Sequence, residues 1–426
     1  MPEGWKSERL ATLARFVGRG MAPTYTDQIS DVRAINQKCV RGGRVRTKMS
    51  RAHDPAVPVR PDAILRQGDI CINSTGTGTI GRVGLWSDNL PGTFFADTHV
   101  TVVRPVATLV SSKFLAESFS SAEVQRLMEG TCFFGSTHQV ELDKSSLLSL
   151  DLLIPPLGEQ QKIAVILSSL DNAIESTQTV IEQLEVVKRA LLAELLTRGI
   201  PEQHGRFRLT GIGLVPEDWR IGPLSDIVEA IDSGWSPRCE SMPAAPDEWG
   251  ILKVSAVSWG EFRPNENKRL PDRLAPRPEL EVKFGDVLVS RANTPELVGR
   301  AVLVESTRPR LMLSDKLLRL RPRVAVATNA FLQLVLSAET TRAQMAEAAT
   351  GSSRSMKNIS QTKLNGVLVA VPSRKEQEQI TEMISRARAR ERAERDYLAS
   401  LVWLKSSLLS TLLSGDVRVI PNEGPS

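Results

Sequence analysis

The feature that most constrains the fold of this 426-residue chain is an internal repetition. A shift of 217 residues places residues 142–199 on residues 359–416, and the apolar positions of the two segments coincide without a gap through most of this length. The same shift carries Pro155 to Pro372. Weaker matches precede these segments in both copies, and they follow the same order along the chain. A repetition of this kind indicates that the chain contains two copies of one structural unit.

The first part of each copy predicts a globular α+β domain. Residues 1–154 and 216–371 are rich in short β-branched runs broken by Gly and Pro, which are typical of strands and turns. Within them, residues 111–129 and 328–349 carry apolar residues at helical spacing. We therefore expect two tandem, pseudo-repeated domains of mixed helix and sheet.

The second part of each copy predicts one long helix. In residues 155–199 and 372–415, apolar residues recur in steps that alternate between four and three, and Pro and Gly occur only near the ends. A helix of this length spans about 60 Å at 1.5 Å per residue. Residues 200–215 are then a linker, and residues 416–426 are a C-terminal tail.

The two long helices are predicted to pair. A seam of apolar residues in a heptad pattern needs a partner to be buried, and each helix is the natural partner of the other. An approximate twofold axis between the copies makes the pair an antiparallel coiled coil, with one globular domain at each end. The alternative is that each helix packs only on its own domain.

Composition permits many partners but excludes several classes of protein. The 54 Lys and Arg residues exceed the 49 Asp and Glu residues by five, which allows a polyanionic partner without requiring one. The four cysteines and four histidines are widely separated, so we expect neither a disulfide framework nor a structural zinc site. No apolar run approaches the roughly 18 residues of a membrane span, and no leader is recognisable, so we expect a cytoplasmic protein.

Catalytic signals in the sequence are weak. Residues 76–81 have the glycine spacing of a phosphate-binding loop but lack the Lys-Ser/Thr that must follow it. The second copy contains two acids and a lysine in the order found in metal-dependent nucleases, namely Asp272, Glu281 and Lys283, but the first copy lacks this pattern. We predict that the chain is not an enzyme and holds no cofactor itself, and a magnesium-dependent nuclease remains a lesser alternative.

The residues predicted to bind DNA lie in short polar or basic segments. Five cations occur within the eleven residues 41–51, beside two glycines, and a flexible basic loop suits phosphate contacts. A polar segment precedes each long helix, and Gly- and Pro-containing turns follow the first strand of each copy. The alternative for each is an ordinary solvated loop. The candidate residues are Arg19, Arg41, Arg44, Arg46, Lys48, Ser136, Thr137, His138, Gln139, Arg238, Arg291, Asn293, Ser352, Ser353, Arg354, Lys357 and Asn358.

The chain resembles the specificity subunit of Type I restriction–modification enzymes from residue 2 to about residue 415. Each copy opens with Pro-Glu-x-Trp, at Pro2 and Pro216, and contains a Gly-Asp-Ile/Val strand and a Gly-Ser-Thr/Ser loop. Each long helix begins with a Glu-Gln pair, at Glu159 and Glu376, and ends with Leu-Leu-x-x-Leu-Leu. The family's Gly-Thr-Pro turn is absent, because Pro23 follows Met-Ala here.

The resemblance implies a non-catalytic protein with two target-recognition domains. Each domain reads one half of a bipartite, asymmetric double-stranded DNA target, and the paired helices set the spacer. The helices also dock two methyltransferase subunits, and a motor-nuclease subunit completes the restriction complex. S-adenosylmethionine, ATP and Mg²⁺ then belong to those partners. A coiled-coil scaffold that binds proteins instead of DNA is the main alternative.

Overall fold

The computed structural model describes residues 2–87, 90–136, 139–353 and 356–419, which belong to two compact units. Unit 1 comprises residues 1–178 and 396–426, and unit 2 comprises residues 179–395. Both units mix helix and sheet. Each unit therefore contains one predicted domain together with segments of both long helices.

Unit 1 is built on a mixed sheet, with helices packed on one face and a smaller sheet packed on the other. Its helices are α1 (Leu10–Leu13), α2 (Ser112–Ser120), α3 (Ala122–Thr131), α4 (Lys144–Leu148) and the start of α5 (Leu157–Thr197). Its strands are β1 (Lys6–Arg9), β2 (Ala14–Arg19), β3 (Val32–Ile35), β4 (Val40–Arg41), β5 (Gly43–Val45), β6 (Arg51–Ala52), β7 (Ile70–Asn73), β8 (Val83–Leu85), β9 (Thr93–Ala96), β10 (Val100–Pro105), β11 (Phe133–Ser136), β12 (Gln139–Leu142) and β13 (Asp151–Ile154). The main sheet has the order β2-β10-β7-β8-β5-β4.

Unit 2 contains the remaining elements of the described chain. Its strands are β14 (Phe207–Thr210), β15 (Gly213–Pro216), β16 (Arg220–Pro223), β17 (Val228–Ser233), β18 (Gly250–Leu252), β19 (Asn267–Arg269), β20 (Val287–Ser290), β21 (Ala292–Asn293), β22 (Ala301–Leu303), β23 (Leu311–Met312), β24 (Leu317–Pro322), β25 (Thr350–Ser353), β26 (Met356–Asn358) and β27 (Leu368–Val371). Its helices are α6 (Asn329–Ser337), α7 (Glu339–Ala348), α8 (Gln361–Asn365) and the start of α9 (Arg374–Ser414).

The central strands of the two units pair in the same order. In unit 1 the order is β2-β10-β7-β8, and in unit 2 it is β17-β24-β20-β22. Val103 pairs with Ile70 in unit 1, and Leu320 pairs with Val287 in unit 2, so the registers also correspond at the 217-residue shift. In both units these strands supply a buried apolar core that receives the helices.

Three short segments differ from the sequence expectations. The helical stretch 111–129 breaks into α2 and α3, because Ser121 leaves helical geometry and its hydroxyl accepts from Val124 N as an N-cap. The stretch 328–349 breaks in the same way at Ala338. The predicted linker 200–215 contains regular secondary structure, because β14 and β15 form a hairpin within and just beyond it.

The long helices contribute to the cores of both units. Ile163 and Leu167 of α5 lie in the core of unit 1 together with Leu412 of α9. In unit 2, Leu195 of α5 and Ile380 of α9 share one core. The start of one helix therefore meets the end of the other in the same core in each unit.

The Glu-Gln pair that begins each long helix is a buried structural motif. In unit 1, Glu159 accepts from Trp5 Nε1 at 3.2 Å and from Arg418 at 2.9 and 3.0 Å. The adjacent Gln160 accepts from Ser111 N at 2.8 Å and donates to Pro155 O at 2.9 Å, which fixes the start of α2 against α5. The pair thus ties three segments that are distant in sequence.

Unit 2 repeats this motif with a histidine in place of the arginine. Glu376 accepts from Trp219 Nε1 at 3.0 Å, and its other oxygen lies 2.7 Å from Nε2 of His204. Nδ1 of His204 lies 3.1 Å from an oxygen of Asp218, and the histidine side chain is only 5% exposed. Both ring nitrogens therefore face carboxylates, which favours the charged imidazolium.

This arrangement predicts that unit 2 is less stable at higher pH. Burial disfavours the charged ring, but Glu376 and Asp218 outweigh it and raise the pKa of His204. The stabilisation is complete below the unfolded-state pKa of about 6.5 and is lost as the pH rises through the folded-state value. We expect the unfolding midpoint to fall over this range in the wild type and to vary less in His204→Gln. The control His99→Gln, at an exposed histidine of unit 1, should follow the wild type, and a parallel decline in His204→Gln would contradict the assignment.

One described helix meets the length and composition of a membrane span, contrary to the sequence expectation. Within α9, an 18-residue window has a mean hydropathy of 1.2, and 11% of the window is buried. The helix nevertheless places Leu412 in the core of unit 1 and an ion-paired Lys405 among carboxylates of that unit. These contacts are those of a helix packed on a globular domain.

Candidate nucleic-acid interface

A cleft of about 870 Å³ lies beside the β11–β12 hairpin in unit 1. Its lining combines cations and acids with exposed backbone, including Arg19, Arg60, Gly135, Glu141 and Lys144. Arg19 belongs to strand β2, and Gly135 and Glu141 belong to the hairpin. Two candidate segments that are more than 100 residues apart are thereby brought to one surface.

Arg19 is oriented by the hairpin. Its Nη2 lies 2.9 Å from Oε2 of Glu141 and donates to Leu142 O at 3.3 Å. Arg60 donates to the carbonyl oxygen of Arg19 at 2.7 Å. The guanidinium of Arg19 is partly exposed and keeps donors free for a further acceptor.

The basic segment is a structured turn, whereas the sequence suggested a flexible loop. Strands β4 and β5 form a hairpin in which Gly42 and Gly43 adopt φ of +62° and +76°, conformations that favour glycine. Arg41, Arg46 and Lys48 are exposed. We call residues 41–48 the basic turn.

Arg44 has partners within unit 1. Its Nη1 lies 2.6 Å from Glu175 and its Nη2 lies 2.7 Å from Oδ1 of Asn172, both on α5. A phosphate would have to displace these partners. Arg44 therefore links the basic turn to α5. The exposed cations around Arg44 are better placed to bind an anion.

The Gly-Ser-Thr segment of unit 1 forms the end of a hairpin. Ser136 of β11 pairs in register with Gln139 of β12. The candidates Thr137 and His138 lie outside the described residues. Gly135 of this hairpin lines the same cleft as Arg19.

Unit 2 has a hairpin in the corresponding place. Strands β25 and β26 carry the candidates Ser352, Ser353, Lys357 and Asn358, while Arg354 lies outside the described residues. Strand β26 also pairs with β21, and Lys357 donates to Gly351 O at 3.1 Å. The candidates of this segment therefore share one three-stranded sheet.

The other candidates of unit 2 differ in accessibility. Asn293 is buried, and its amide donates to Ser258 Oγ at 3.1 Å while its carbonyl accepts from Thr294 N at 2.9 Å. Both polar groups of its side chain are therefore engaged within unit 2, and its role as a DNA contact stays a prediction. Arg291 is half-buried and Arg238 is exposed.

The acids and lysine of the nuclease alternative do not form an evident metal centre. Asp272 is exposed and lies 3.2 Å from Arg269, whereas Glu281 accepts from Arg310 N at 2.6 Å. Within the described part of the chain, no group of three or more His, Cys, Asp or Glu side chains is placed to hold a metal ion. These contacts give the nuclease alternative no support.

The sequence reasoning missed an exposed aromatic residue in unit 2. Trp259 is 62% exposed, and the Arg263 guanidinium lies 5.4 Å from its ring centroid. The 217-residue shift places Arg263 on Arg46 of the basic turn, which relates the two segments in sequence. The cluster of cations does not recur in unit 2, so the spacing of cations alone does not indicate the segment that begins at Trp259.

Comparison with known proteins identifies the class. Residues 2–186 match the family model of the Type I restriction modification DNA specificity domain. Residues 2–186 therefore carry a domain of this kind. This match confirms the predicted resemblance, and it agrees with the prediction that the chain is not an enzyme.

Individual relatives agree with this class. The chain is 37% identical over 159 residues to the EcoEI specificity subunit of Escherichia coli, which covers 37% of this chain and 27% of that relative. It is 25% identical over 431 residues to the MjaVIII specificity subunit of Methanocaldococcus jannaschii, which covers 98% of this chain and 94% of that one. The chain thus spans only about a quarter of the first relative and nearly all of the second.

Solved structures share the fold over nearly the whole chain. One, from work on complex assembly and conformational transition of the type I R-M system, matches with a TM-score of 0.58 at 18% identity and covers 98% of this chain and 99% of that one. Another, the S subunit of a Type-I restriction-modification system from M. genitalium, matches with a TM-score of 0.56 at 15% identity and covers 96% of each chain. At these identities the likeness establishes the shared mixed helix and sheet fold alone.

Proposed function

We propose that the chain reads a bipartite, asymmetric target in double-stranded DNA as the specificity subunit of a type I restriction–modification complex. One observation carries the proposal: each unit presents a polar hairpin beside cations, at corresponding places in the strand order. Arg19 adjoins the β11–β12 hairpin, and Lys357 lies within the β25–β26 hairpin. Cations position a protein on the phosphate backbone, and neighbouring polar groups read base edges.

The two half-sites should differ in sequence. Of the cations in the basic turn of unit 1, only Arg46 has a basic counterpart in unit 2, where Arg263 follows Trp259 in the corresponding segment. Unlike surfaces recognise unlike base pairs, so a palindromic target is not expected. An asymmetric target would follow directly from two different reading domains in one chain.

The long helices are proposed to pair as an antiparallel coiled coil and to set the unread spacer. Ion pairs between α5 and α9 support the pairing: Lys188 contacts Glu391 in unit 2, and Lys405 lies 2.6 Å from Asp171 in unit 1.

The helices are further proposed to dock two methyltransferase subunits. Exposed apolar side chains on them include Trp403, Tyr397 and Val165, and solvent-exposed aromatic residues are frequent in protein interfaces. S-adenosylmethionine would then bind to the methyltransferases, and ATP and Mg²⁺ would serve motor-nuclease subunits where these join. The assembly would act in the cytoplasm.

Methylation mapping tests the proposal as a whole. The chain is co-expressed with its genomic neighbours, any complex is weighed by native mass spectrometry, and the cellular DNA is sequenced for methylated bases. We expect two methyltransferase chains per complex and methylation at a split, asymmetric site. A chain that purifies alone from cells with unmethylated DNA would instead favour the protein-binding scaffold.

The basic turn should account for part of the salt dependence of DNA binding. Replacing Arg41, Arg46 and Lys48 with Ala removes up to three phosphate contacts, and each contact contributes about 0.9 to the slope of log K against log salt. We expect weaker binding and a slope smaller by about 3, measured by fluorescence anisotropy on the mapped duplex. The control triple variant Arg9→Ala, Arg15→Ala, Arg126→Ala changes other cations of unit 1 and should retain the wild-type slope. An unchanged slope in the first variant would remove the basic turn from the interface.

A further inference from the structure

Unit 2 carries an exposed aromatic turn. Trp259 begins this turn, which we define as residues 259–263, and Gly260 adopts φ of +82° within it. Glu261 accepts from Nε and Nη2 of Arg263 at 3.0 and 2.8 Å, which holds the guanidinium near the indole. Trp259 is 62% exposed, and a large aromatic side chain that is open to solvent can anchor a ligand through its apolar face.

The aromatic turn adjoins the hairpin of the candidate interface. Ser258, the residue before Trp259, accepts from the amide of Asn293 at 3.1 Å. Asn293 pairs with Lys357 between β21 and β26. One buried side chain therefore connects the start of the aromatic turn to the strand that carries the predicted DNA contacts.

The aromatic turn is also the topological counterpart of the basic turn. Each turn is closed by an equivalent backbone hydrogen bond: Arg46 N donates to Cys39 O at 2.8 Å in unit 1, and Arg263 N donates to Ala256 O at 3.0 Å in unit 2. Both bonds are related by the 217-residue shift, and Trp259 falls where the basic turn has a glycine. The same place in the fold thus carries cations in one unit and an aromatic–cation pair in the other.

We propose that Trp259 contacts duplex DNA directly, packing its indole on a base or sugar of the half-site that unit 2 reads. This inference rests on the proposed function. Arg263, Arg291 and Lys357 supply positive charge nearby, which suits the phosphate backbone. Apolar side chains that insert at base steps favour deformable steps, so Trp259 contributes to specificity as well as affinity. The two units therefore engage DNA by different physical means, ionic in unit 1 and partly apolar in unit 2.

The test compares aromatic substitutions in the full chain, in complex with its methyltransferase subunits, on a duplex that carries the methylation-mapped target. Stacking on an aromatic side chain changes affinity by about tenfold per contact, so we expect Trp259→Ala to bind about tenfold more weakly. Trp259→Phe retains a ring and should lose about threefold or less. The salt slope should not change, since no charge is removed.

Phe284→Ala is the matched control. Phe284 is 79% exposed in the same unit, but it precedes β20, whereas Arg291 follows that strand at its other end. We expect its affinity to stay within twofold of the wild type. The thermal midpoints of all variants establish that each is folded.

Intrinsic fluorescence gives an independent readout. Binding of the mapped duplex should quench the exposed indole, and most of this quenching should be absent in Trp259→Phe. Wild-type affinity in Trp259→Ala, or equal quenching in Trp259→Phe, would overturn the inference while leaving the proposed function intact. Failure of the wild-type complex to bind the duplex would instead overturn the proposed function, and the inference with it.

Discussion

Replacing Asp69 with Ala is expected to destabilise unit 1 by about 3–5 kcal/mol, because it leaves the buried charge of Arg104 unpaired. The Asp69 and Arg104 side chains are 1% and 6% exposed and meet through two hydrogen bonds of 2.8 and 2.7 Å. Arg104 also donates to Ile64 O at 2.9 Å, and Asp69 accepts from Arg66 N at 2.8 Å. The carboxylate therefore holds both the guanidinium and the turn before β7.

Asp286→Ala provides the matched comparison, since Asp286 occupies the corresponding position in unit 2. It is 21% exposed and lies 3.3 Å from Arg319, which retains Asp232 at 2.8 Å after the substitution. We expect a loss of about 1 kcal/mol in urea unfolding. The double variant Asp69→Ala, Arg104→Met should recover part of the stability lost in the single variant, because no uncompensated charge remains. Equal losses at the two aspartates would contradict this account.

Lys405→Met should cost about 2–3 kcal/mol, the second largest effect we expect. Lys405 of α9 lies 2.6 Å from Asp171 of α5 and 3.2 Å from Glu117 of α2, and Lys113 contacts both acids. Without Lys405, two nearly buried carboxylates share one ammonium group. The side chain of Lys405 is 19% exposed, so solvent reduces the loss relative to a fully buried pair.

Lys188→Met is the internal control, because the 217-residue shift carries Lys188 to Lys405. Lys188 is 32% exposed, and its partner Glu391 retains Arg395 at 3.0 Å. We expect a loss of about 1 kcal/mol. A loss at Lys188 as large as that at Lys405 would show that burial does not set the difference.

The difference between wild type and Lys405→Met should also depend on pH. Burial opposes ionisation of Asp171, but Lys113 and Lys405 outweigh it and lower the pKa of that carboxyl. A depressed folded-state pKa gives stability that is present above the unfolded value of about 3.9 and is lost as the pH falls through the folded value. The two proteins should therefore differ most near neutral pH and converge in acid.

The sequence by itself determined the local elements and their order. The spacing of apolar residues, with Pro155 and Pro372 before the helices, predicted segments close to the observed Leu157–Thr197 and Arg374–Ser414. These features are local, because helix periodicity and termination depend on residues within a few turns of one another. The recurrence of the Glu-Gln pair likewise indicated the family before any contact was known.

Tertiary structure alone decided which polar residues remain available to a ligand. Arg44 and Arg46 look alike in sequence, yet Arg44 lies 2.6 Å from Glu175, which is 131 residues away, while Arg46 lies 3.9 Å from the same carboxylate and stays more exposed. Asn293 is a plausible DNA contact by residue type, but packing buries it against Ser258. The exposure of Trp259 follows from the same packing. Burial and ion pairing depend on contacts between segments distant in the chain, and local spacing does not contain that information.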